Sequence, residues 1–515
     1  MRPLPIVWSL LSLALIAGVS AGGPAAFAAH TAQTAKPRAP APKRSAKPGA
    51  TVTDARRTPA PVAAADTNLT RLTGDWTGRL MVGSSALPVV VHLRPRSQGL
   101  TGTVDSPNQG VTGMAIDTVL VNGAELRFEL RSIRAVYQGT VAPDATSIRG
   151  TWSQGAQVVM LDLQRQAALE QRRPQTPAKP WPYDAEEVVV ENPAAGVKLA
   201  GTFTKPPGSG PFPAVLLIGG SGAQNRDEEI FEHRPFLVLA DHLTRHGIAA
   251  LRLDDRGVGG STGSLALATL DDFAADAAAA VRFLAARPDV DHARIGLVGH
   301  SEGGLVAPLV AAVDTSVAFV VLLAAPGIPG DSLLMLQGAA IMGVMNQPAD
   351  MIGWNRRLQR VMFDQVKTAS DSASLHQRLS RVISVALPLL PESRQGQVNA
   401  QNLAGQVNMM TTRWFRSFVS CDPAPTLRKL RCPVLALTGE KDLQVLPEEN
   451  LAGIEQALAE GGNREHRTVE LPGLNHLFQT AMTGSPGEYG VIEETFAPAA
   501  LDTITTWIEA RAGKR

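Results

Sequence analysis

A chain of 515 residues is long enough for two or more domains and a substantial hydrophobic core. Hydrophobic residues make up 44% of the chain and charged residues 18%, which is typical of a soluble globular protein. The formal net charge of +1 gives no support for nucleic acid as a partner.

The first 28 residues have the pattern of a signal peptide. Arg2 supplies a positive start, an apolar core runs from Ile6 to Val19, and Ala26-Phe27-Ala28 is a small-x-small cleavage site. The apolar run is shorter than the roughly 20 residues that a membrane-spanning helix needs, so an uncleaved anchor is the weaker interpretation. We therefore expect an exported protein, periplasmic or secreted, with no integral membrane segment after cleavage.

Residues 29–66 are rich in Ala, Pro, Lys and Arg and contain almost no large apolar side chain. A segment of this composition buries too little surface to offset the entropy lost when the chain becomes ordered. It is predicted to be a disordered linker.

Residues 67–166 are predicted to form a small all-β domain, either a barrel or a sandwich. Apolar residues alternate with other residues at several places, for example over Leu87–Leu93. Asn122-Gly123 lies between two apolar runs and is a strong signal for a hairpin turn. Trp76 and Trp152 are expected to lie in the core of this domain rather than to bind a ligand.

A proline-rich joint, residues 167–184, leads to a different pattern over residues 185–515. Short apolar strands that end in glycine or polar residues alternate there with amphipathic helices. This alternation is typical of a mostly parallel, doubly wound sheet that is covered by helices on both faces. A helical insertion over about residues 331–418 interrupts the pattern, and we predict that it forms a cap over the carboxyl ends of the strands.

The centre of this α/β region contains the motif Gly299-His300-Ser301-Glu302-Gly303. An apolar strand precedes this G-x-S-x-G sequence and an apolar helix follows it, as a nucleophile elbow requires. The flanking glycines are needed because side chains there would collide with the crossing strand and helix. We predict that Ser301 is a nucleophile; a serine in an ordinary turn or helix cap is the alternative.

A serine hydroxyl is a good nucleophile only when a histidine removes its proton and a carboxylate orients that histidine. In this architecture the acid, and then the histidine, follow the serine along the chain. His476 follows the last predicted strand, and Asp442 follows the strand before it. We therefore predict a triad of Ser301, Asp442 and His476, whereas His300 is expected to pack or to line a pocket wall.

The oxyanion that forms during acyl transfer needs two backbone N–H donors. One is predicted to come from Glu302, at the amino terminus of the helix that follows the nucleophile. The other is predicted to come from the glycine-rich loop after the third strand, with Ser221 as the first choice and Gly220 or Gly222 as possible neighbours.

The chain contains two cysteines, Cys421 and Cys432. In an oxidising compartment they could form a disulfide, and two separately buried thiols are the alternative. No zinc-type cluster of cysteines exists, so no metal is expected, and the predicted chemistry needs no cofactor. The sequence contains no signal for an oligomeric state.

These motifs together resemble the α/β-hydrolase superfamily. Within it the chain is similar to bacterial EstD-type carboxylesterases and to serine-aminopeptidase-like hydrolases with an N-terminal β domain. The resemblance implies hydrolysis of short-chain carboxylic esters through an acyl-enzyme on Ser301, Asp442 and His476. The matching segments are GGSGAQNRDE at 219–228, LRLDDRGVGGSTG at 251–263, GHSEGG at 299–304, PVLALTGEKDLQV at 433–445 and LPGLNHLF at 471–478.

The leading hypothesis is an exported carboxylesterase that acts on a small-molecule ester or acyl substrate. A peptidase and an acyl thioesterase are alternatives. An aminopeptidase would need carboxylates to hold the substrate's ammonium group, and Glu228 and Glu229 lie near the predicted oxyanion loop, although an exposed acidic turn is the simpler interpretation of this pair. A non-catalytic module that binds envelope polymer is a further alternative, against which the order of Ser, Asp and His argues.

Overall fold

The protein is described by a computed structural model that covers residues 67–82, 85–96, 99–106, 111–154, 157–166, 173–390 and 400–512. The predicted signal peptide, 1–28, and the predicted linker, 29–66, lie outside these described residues. The described residues form two compact units, a β unit from residue 67 to residue 166 and an α/β unit from residue 173 to residue 512. No described helix is both long enough and apolar enough to span a membrane.

The β unit consists of one short helix, ten antiparallel strands and a 3-10 turn at Arg131–Ile133. These elements are α1 (Thr67–Leu72), β1 (Gly74–Val82), β2 (Ser85–Pro95), β3 (Leu100–Ser106), β4 (Val111–Ala115), β5 (Thr118–Asn122), β6 (Glu125–Leu130), β7 (Ala135–Val141), β8 (Ser147–Gln154), β9 (Gln157–Met160) and β10 (Leu163–Gln166).

The ten strands form one continuous sheet that curls around its own core. The order is β4-β3-β2-β1-β10-β8-β7-β6-β5, and β9 pairs with β8. Trp76 and Trp152 are both buried in this core, as the sequence predicts. The predicted hairpin joins β5 to β6, and Gly123 takes a φ of 59° at its turn, a left-handed conformation that glycine adopts readily. The prediction of a small all-β domain is confirmed.

A histidine links three neighbouring strands of the β unit. The ring of His92 on β2 donates from Nδ1 to Asp75 Oδ1 on β1, at 2.8 Å, and from Nε2 to Asp105 Oδ2 on β3, at 2.9 Å. The hydrogen bond to Asp105 raises the pKa of His92 above its usual value; burial opposes this rise, and the bond to Asp75 adds to it. The protonated ring therefore links β1, β2 and β3 most strongly, because it can donate both hydrogen bonds at once.

The α/β unit alternates strands and helices along the chain, with short 3-10 turns at Leu265–Leu267, Leu387–Leu389 and Pro486–Glu488. Its strands are β11 (Asp184–Asn192), β12 (Val197–Lys205), β13 (Phe212–Ile218), β14 (Ala249–Leu253), β15 (Val290–His300), β16 (Val317–Leu323), β17 (Val434–Gly439) and β18 (His466–Leu471). Its helices are α2 (Pro235–Arg245), α3 (Leu270–Ala285), α4 (Gly303–Ala311), α5 (Gly330–Val344), α6 (Ala349–Thr368), α7 (Ser372–Ala386), α8 (Ala400–Met410), α9 (Arg413–Ser420), α10 (Ala424–Leu427), α11 (Pro447–Glu460) and α12 (Pro498–Ala512).

The eight strands of the α/β unit form one mostly parallel sheet. The order is β11-β12-β14-β13-β15-β16-β17-β18; β11, β12 and β14 pair antiparallel, and all other neighbours pair parallel. Successive residues of a strand point to opposite faces, so Leu216 lies in the core beneath α3 and α4, whereas Leu217 lies in the core beneath α2 and α12. Helices therefore cover both faces, and the predicted doubly wound α/β fold is confirmed.

The insertion predicted over about residues 331–418 is helical, and its described residues form α5 to α9. Its large apolar side chains, including Trp354, Phe363 and Phe415, are buried in the same core that lies under α3 and α4. The insertion is also joined to the rest of the unit by a hydrogen bond from Leu270 N to the Ser417 hydroxyl. The five helices thus pack directly on the α/β unit as a cap.

Cys421 and Cys432 are free thiols, so the possible disulfide is not present. Their backbones are held by different neighbours: the carbonyl of Cys421 accepts from Gly330 N, and that of Cys432 accepts from Asn463 Nδ2. Burial raises the pKa of each thiol to about 11. The structure therefore agrees with the alternative of two separate thiols, although both are half-buried rather than fully buried.

We predict that the thermal stability of the β unit falls as pH rises through the folded-state pKa of His92. Because folding raises this pKa, the stabilisation is complete below the unfolded value of about 6.5 and is lost at higher pH. Melting curves of the full chain at about pH 6, 7, 8 and 9 would measure this effect in the β-rich transition.

The control is His376→Gln, which changes an exposed histidine of α7 and should leave the pH dependence intact. His92→Gln should lower the melting temperature at low pH and flatten its dependence on pH. A β-rich transition that is independent of pH in the unsubstituted protein would contradict the role given to His92.

Candidate active site

Ser301 lies in the sharp turn between β15 and α4. Its φ of 52° is in the left-handed region, which non-glycine residues rarely adopt and which is found at strained functional turns. The backbone is fixed there by hydrogen bonds from Ser301 N to Leu323 O, at 2.8 Å, and from Gly304 N to Ser301 O, at 2.9 Å. The local backbone is that of a nucleophile elbow.

The two glycines that flank the turn are required by the close crossing of strand and helix. A Cβ atom on Gly299 would lie 2.1 Å from the carbonyl oxygen of Gly303. A Cβ atom on Gly303 would lie 2.2 Å from the carbonyl oxygen of Ile218, the last residue of β13. Neither contact is possible without movement of the backbone, which agrees with the steric argument from the sequence.

Asp442 and His476 lie together in the loops that follow β17 and β18. Asp442 is 1% exposed, and its Oδ2 accepts a hydrogen bond of 2.8 Å from His476 Nδ1. Its Oδ1 accepts from the backbone N–H groups of Gln444 and Val445, at 2.8 and 2.9 Å. The carboxylate is thus fixed on one side by its own loop and orients the imidazole on the other, so that the neutral ring leaves Nε2 unprotonated.

His300 brings the loop of His476 against the elbow. The rings of the two histidines are 4.9 Å apart between centroids, and His300 Nε2 donates to the backbone carbonyl of His476 at 3.0 Å. Since His300 directly precedes Ser301, the structure places Ser301, Asp442 and His476 in one region. The prediction that His300 packs or lines a pocket wall describes only part of its role, because both of its ring nitrogens also form hydrogen bonds.

The glycine-rich loop after β13 lies directly beside Ser301. A Cβ atom on Gly220 would be 3.3 Å from the Cβ of Ser301. The N–H of Gly220, however, donates to Glu228 Oε1 at 2.6 Å, so it is not a free donor for an oxyanion. The prediction that Gly220 is a possible oxyanion donor is therefore wrong. In the described part of the chain, no acceptor is found for the N–H groups of Ser221, Gly222 or Glu302.

Glu228 is a residue of the site that the sequence interpretation places wrongly. It is 4% exposed, and its Oε1 accepts from Gly220 N and from His300 Nδ1, the latter at 2.8 Å. The expectation of an exposed acidic turn is therefore wrong for Glu228, whose side chain is buried. Its backbone has a left-handed φ of 53°. Because 72 positions separate Glu228 from His300, no local pattern in the sequence indicates the contact.

Two further carboxyl groups lie next to the elbow. The side chain of Glu302 is buried and accepts a hydrogen bond of 2.8 Å from the indole N–H of Trp414 on α9, in the cap. Burial raises the pKa of Glu302 to about 7, against the effect of the Trp414 bond. Burial also raises the pKa of Asp255 well above its usual value, and the nearby Glu302 adds to this rise. Burial therefore favours the neutral form of both Glu302 and Asp255 beside the elbow.

A cavity of about 60 Å³ lies at the carboxyl ends of β13 and β14, beside the elbow. Its volume can hold a few water molecules or a small chemical group. In the described residues, no three His, Cys, Asp or Glu side chains are arranged to hold a metal ion. The residues that line the cavity include Gly219, Gly220, Leu253, Asp255, Phe273 and Glu302.

Comparison with known proteins gives matches over the α/β unit. A family model described as the alpha/beta hydrolase family matches residues 215–488, slightly more than half of the chain. Esterase EstD of Thermotoga maritima is 28% identical over 314 residues, which are 60% of this chain and 65% of that esterase. An uncharacterized protein of Mycobacterium tuberculosis is 36% identical over 121 residues, which are 24% of this chain and 39% of that protein. The chain therefore spans less than two thirds of the length of these curated relatives.

Comparison with solved structures also gives matches. The crystal structure of the alpha/beta hydrolase GrgF from Penicillium sp. sh18 is 18% identical in sequence to this chain, with a TM-score of 0.40. The superposition covers 65% of this chain and 100% of that hydrolase.

We predict that Gly303→Ala disrupts the elbow. The new Cβ would meet the carbonyl of Ile218, and we expect the free energy of unfolding to fall by about 3 kcal/mol, as overpacked sites do. Urea titration of the purified full chain measures this change.

Gly405→Ala is the matched control. Gly405 lies exposed in α8, where an added Cβ has no neighbour within 4 Å, and alanine is favoured there by roughly 0.5 to 1 kcal/mol. Equal stability of the two variants would contradict the steric account of the elbow.

Proposed function

The chain belongs to the alpha/beta hydrolase family, and on that basis we propose that it is a serine hydrolase that cleaves carboxylic esters through an acyl-enzyme. The observation that carries this proposal is the buried hydrogen bond from His476 Nδ1 to Asp442 Oδ2 beside the left-handed turn at Ser301. Similarity to an esterase of Thermotoga maritima supports the choice of esters as substrates.

The reaction begins when Ser301 Oγ attacks the carbonyl carbon of the ester. His476 Nε2 takes the hydroxyl proton as the new bond forms, because its Nδ1–H is already bound to Asp442. The imidazolium that results is stabilised by the Asp442 carboxylate, which two backbone N–H groups hold in place.

The negative charge that develops on the substrate oxygen is stabilised by backbone donors. Glu302 N–H lies at the amino terminus of α4, where the helix dipole favours an anion, and Ser221 N–H lies in the loop against Ser301. Because these groups are fixed before the substrate arrives, they need no reorganisation during the reaction.

The tetrahedral intermediate then collapses to an acyl-enzyme. His476 gives its proton to the departing alkoxide, which leaves as an alcohol. Water, deprotonated by His476, attacks the acyl carbon, and the second tetrahedral intermediate collapses as the bond to Ser301 Oγ breaks. His476 returns the proton to Ser301 Oγ, so that the carboxylic acid is released and the free serine is restored. Each step uses only Ser301, His476, Asp442 and the two backbone donors.

A peptidase is the weaker proposal. A free carboxylate would be needed to hold the ammonium group of an aminopeptidase substrate, but Glu228 already binds Gly220 N and His300. Glu229 is paired with Arg234 and accepts from Asn225. Neither glutamate is available for a substrate cation in this arrangement.

We predict that Ser301→Ala lowers the rate of p-nitrophenyl acetate hydrolysis by about 10³-fold or more, as loss of a catalytic nucleophile does. The substitution removes only the hydroxyl oxygen, so the fold should remain intact and circular dichroism should be unchanged. Release of p-nitrophenol measures the rate, with an aminoacyl p-nitroanilide and an acyl thioester assayed in parallel.

Ser380→Ala is the control, since it removes an exposed serine of α7 that binds only its own helix. It should leave all rates unchanged. Full esterase activity in Ser301→Ala would refute the mechanism. If the unsubstituted protein hydrolysed only the anilide or only the thioester, the proposed substrate class would change from esters to that class.

A further inference from the structure

The Glu228 carboxylate joins two parts of the site that are distant in sequence. Its Oε1 accepts from Gly220 N, in the loop after β13, and from Nδ1 of His300, at the end of β15. Both side chains are buried, with 4% of Glu228 and 7% of His300 exposed. A buried carboxylate that is bound twice by donors holds both of them in place.

The hydrogen bonds of His300 define its protonation state. One ring nitrogen faces Glu228, which as a carboxylate only accepts hydrogen bonds, and the other faces the backbone carbonyl of His476, which also only accepts. His300 therefore donates from both nitrogens and carries a positive charge next to Glu228. The titratable groups near this ring are Glu228, His476 and Asp442. The charge of Glu228 balances that of His300 inside the protein.

We propose that Glu228 and the protonated His300 form a positioning pair, which fixes the oxyanion loop and the loop of His476 in one geometry. This inference rests on the proposed function, because it assigns the pair to the alignment of that catalytic centre. The link runs from Gly220 N through Glu228 and His300 to the carbonyl of His476.

The pair controls the two groups that must act together on the substrate. Ser221, the proposed oxyanion donor, directly follows the anchored Gly220, and the His476 ring projects from the residue whose carbonyl is anchored. Loss of the pair would allow the donor and the base to shift independently. A misplacement of about 1 Å in a catalytic group can lower the rate by about 10²-fold.

The two test variants are Glu228→Gln and His300→Gln. Glutamine at position 228 keeps an acceptor but not the charge, so His300 loses its second proton and its hydrogen bond to His476. With p-nitrophenyl acetate, we expect kcat to fall by about 10- to 100-fold in each variant and KM to change by less than about threefold, because the lost alignment acts in the transition state. Glu229→Gln is the matched control, and its kcat should be unchanged.

The protonation state of His300 gives a readout that a purely structural role would not move. In the unsubstituted protein labelled with ¹⁵N-histidine, both ring nitrogens of His300 should give protonated ¹⁵N shifts at about pH 8, well above the usual histidine pKa of about 6.5. The signal is assigned by its loss in His300→Gln. In Glu228→Gln the ring should be neutral at the same pH.

The double variant tests whether the two residues act as one unit. Because either single change already breaks the link, Glu228→Gln with His300→Gln should lower kcat no further than His300→Gln alone. Losses of kcat that multiply in the double variant would overturn the pair.

Other outcomes separate this inference from the proposed function. If Ser301→Ala is inactive while Glu228→Gln retains the unsubstituted kcat, the pair is refuted and the esterase mechanism stands. If Ser301→Ala keeps its activity, the proposed function fails. A neutral His300 in the unsubstituted protein refutes the pair whatever the kinetics show, and this measurement does not depend on the catalytic activity of any variant.

Discussion

The crossing of β13 and α4 at Ile218 and Gly303 is the constraint on which the candidate site depends. The backbones approach so closely there that no Cβ fits on Gly303. The chain can make this crossing only through a sharp turn, which places Ser301 in the left-handed region. The same closeness sets the loop that leaves β13 against Ser301 and directs the first N–H groups of α4 toward the place where an oxyanion would form. The positions of Ser301, of the loop after β13 and of the α4 terminus are therefore consequences of one steric contact.

Three carboxyl groups near the elbow differ in the hydrogen bonds that they receive. Asp442 accepts hydrogen bonds from two backbone N–H groups and from His476. Glu228 is bound by Gly220 N and faces the charged ring of His300. Among the described residues, Glu302 accepts a side-chain hydrogen bond from the indole of Trp414, and burial raises its pKa. The three carboxyl groups therefore differ in the hydrogen bonds that they receive, and burial is the dominant effect at Glu302.

The fold could be predicted from the sequence because its signals are local. Strand alternation, the Asn122-Gly123 turn and the glycines around Ser301 each act within a few residues, and the structure agrees with all three. The triad could be proposed from the positions of Asp442 and His476 after successive strands, and it remains a prediction of the sequence that the geometry supports. The use of Gly220 N by Glu228 and the contact of Glu228 with His300 could not be predicted, because they join segments that only the tertiary fold brings together. The two cysteines likewise stay apart because tertiary contacts, not their spacing, fix their backbones.

The central claim is that Ser301 is the group that becomes acylated. The most direct test is to treat the full chain with an organophosphate ester that reacts with activated serines, and to locate the label by tandem mass spectrometry of peptides. The account predicts one phosphorylated residue, Ser301, with labelling prevented by prior unfolding of the protein. A label on a different serine, or none on Ser301 while hydrolysis of p-nitrophenyl acetate continues, would contradict it.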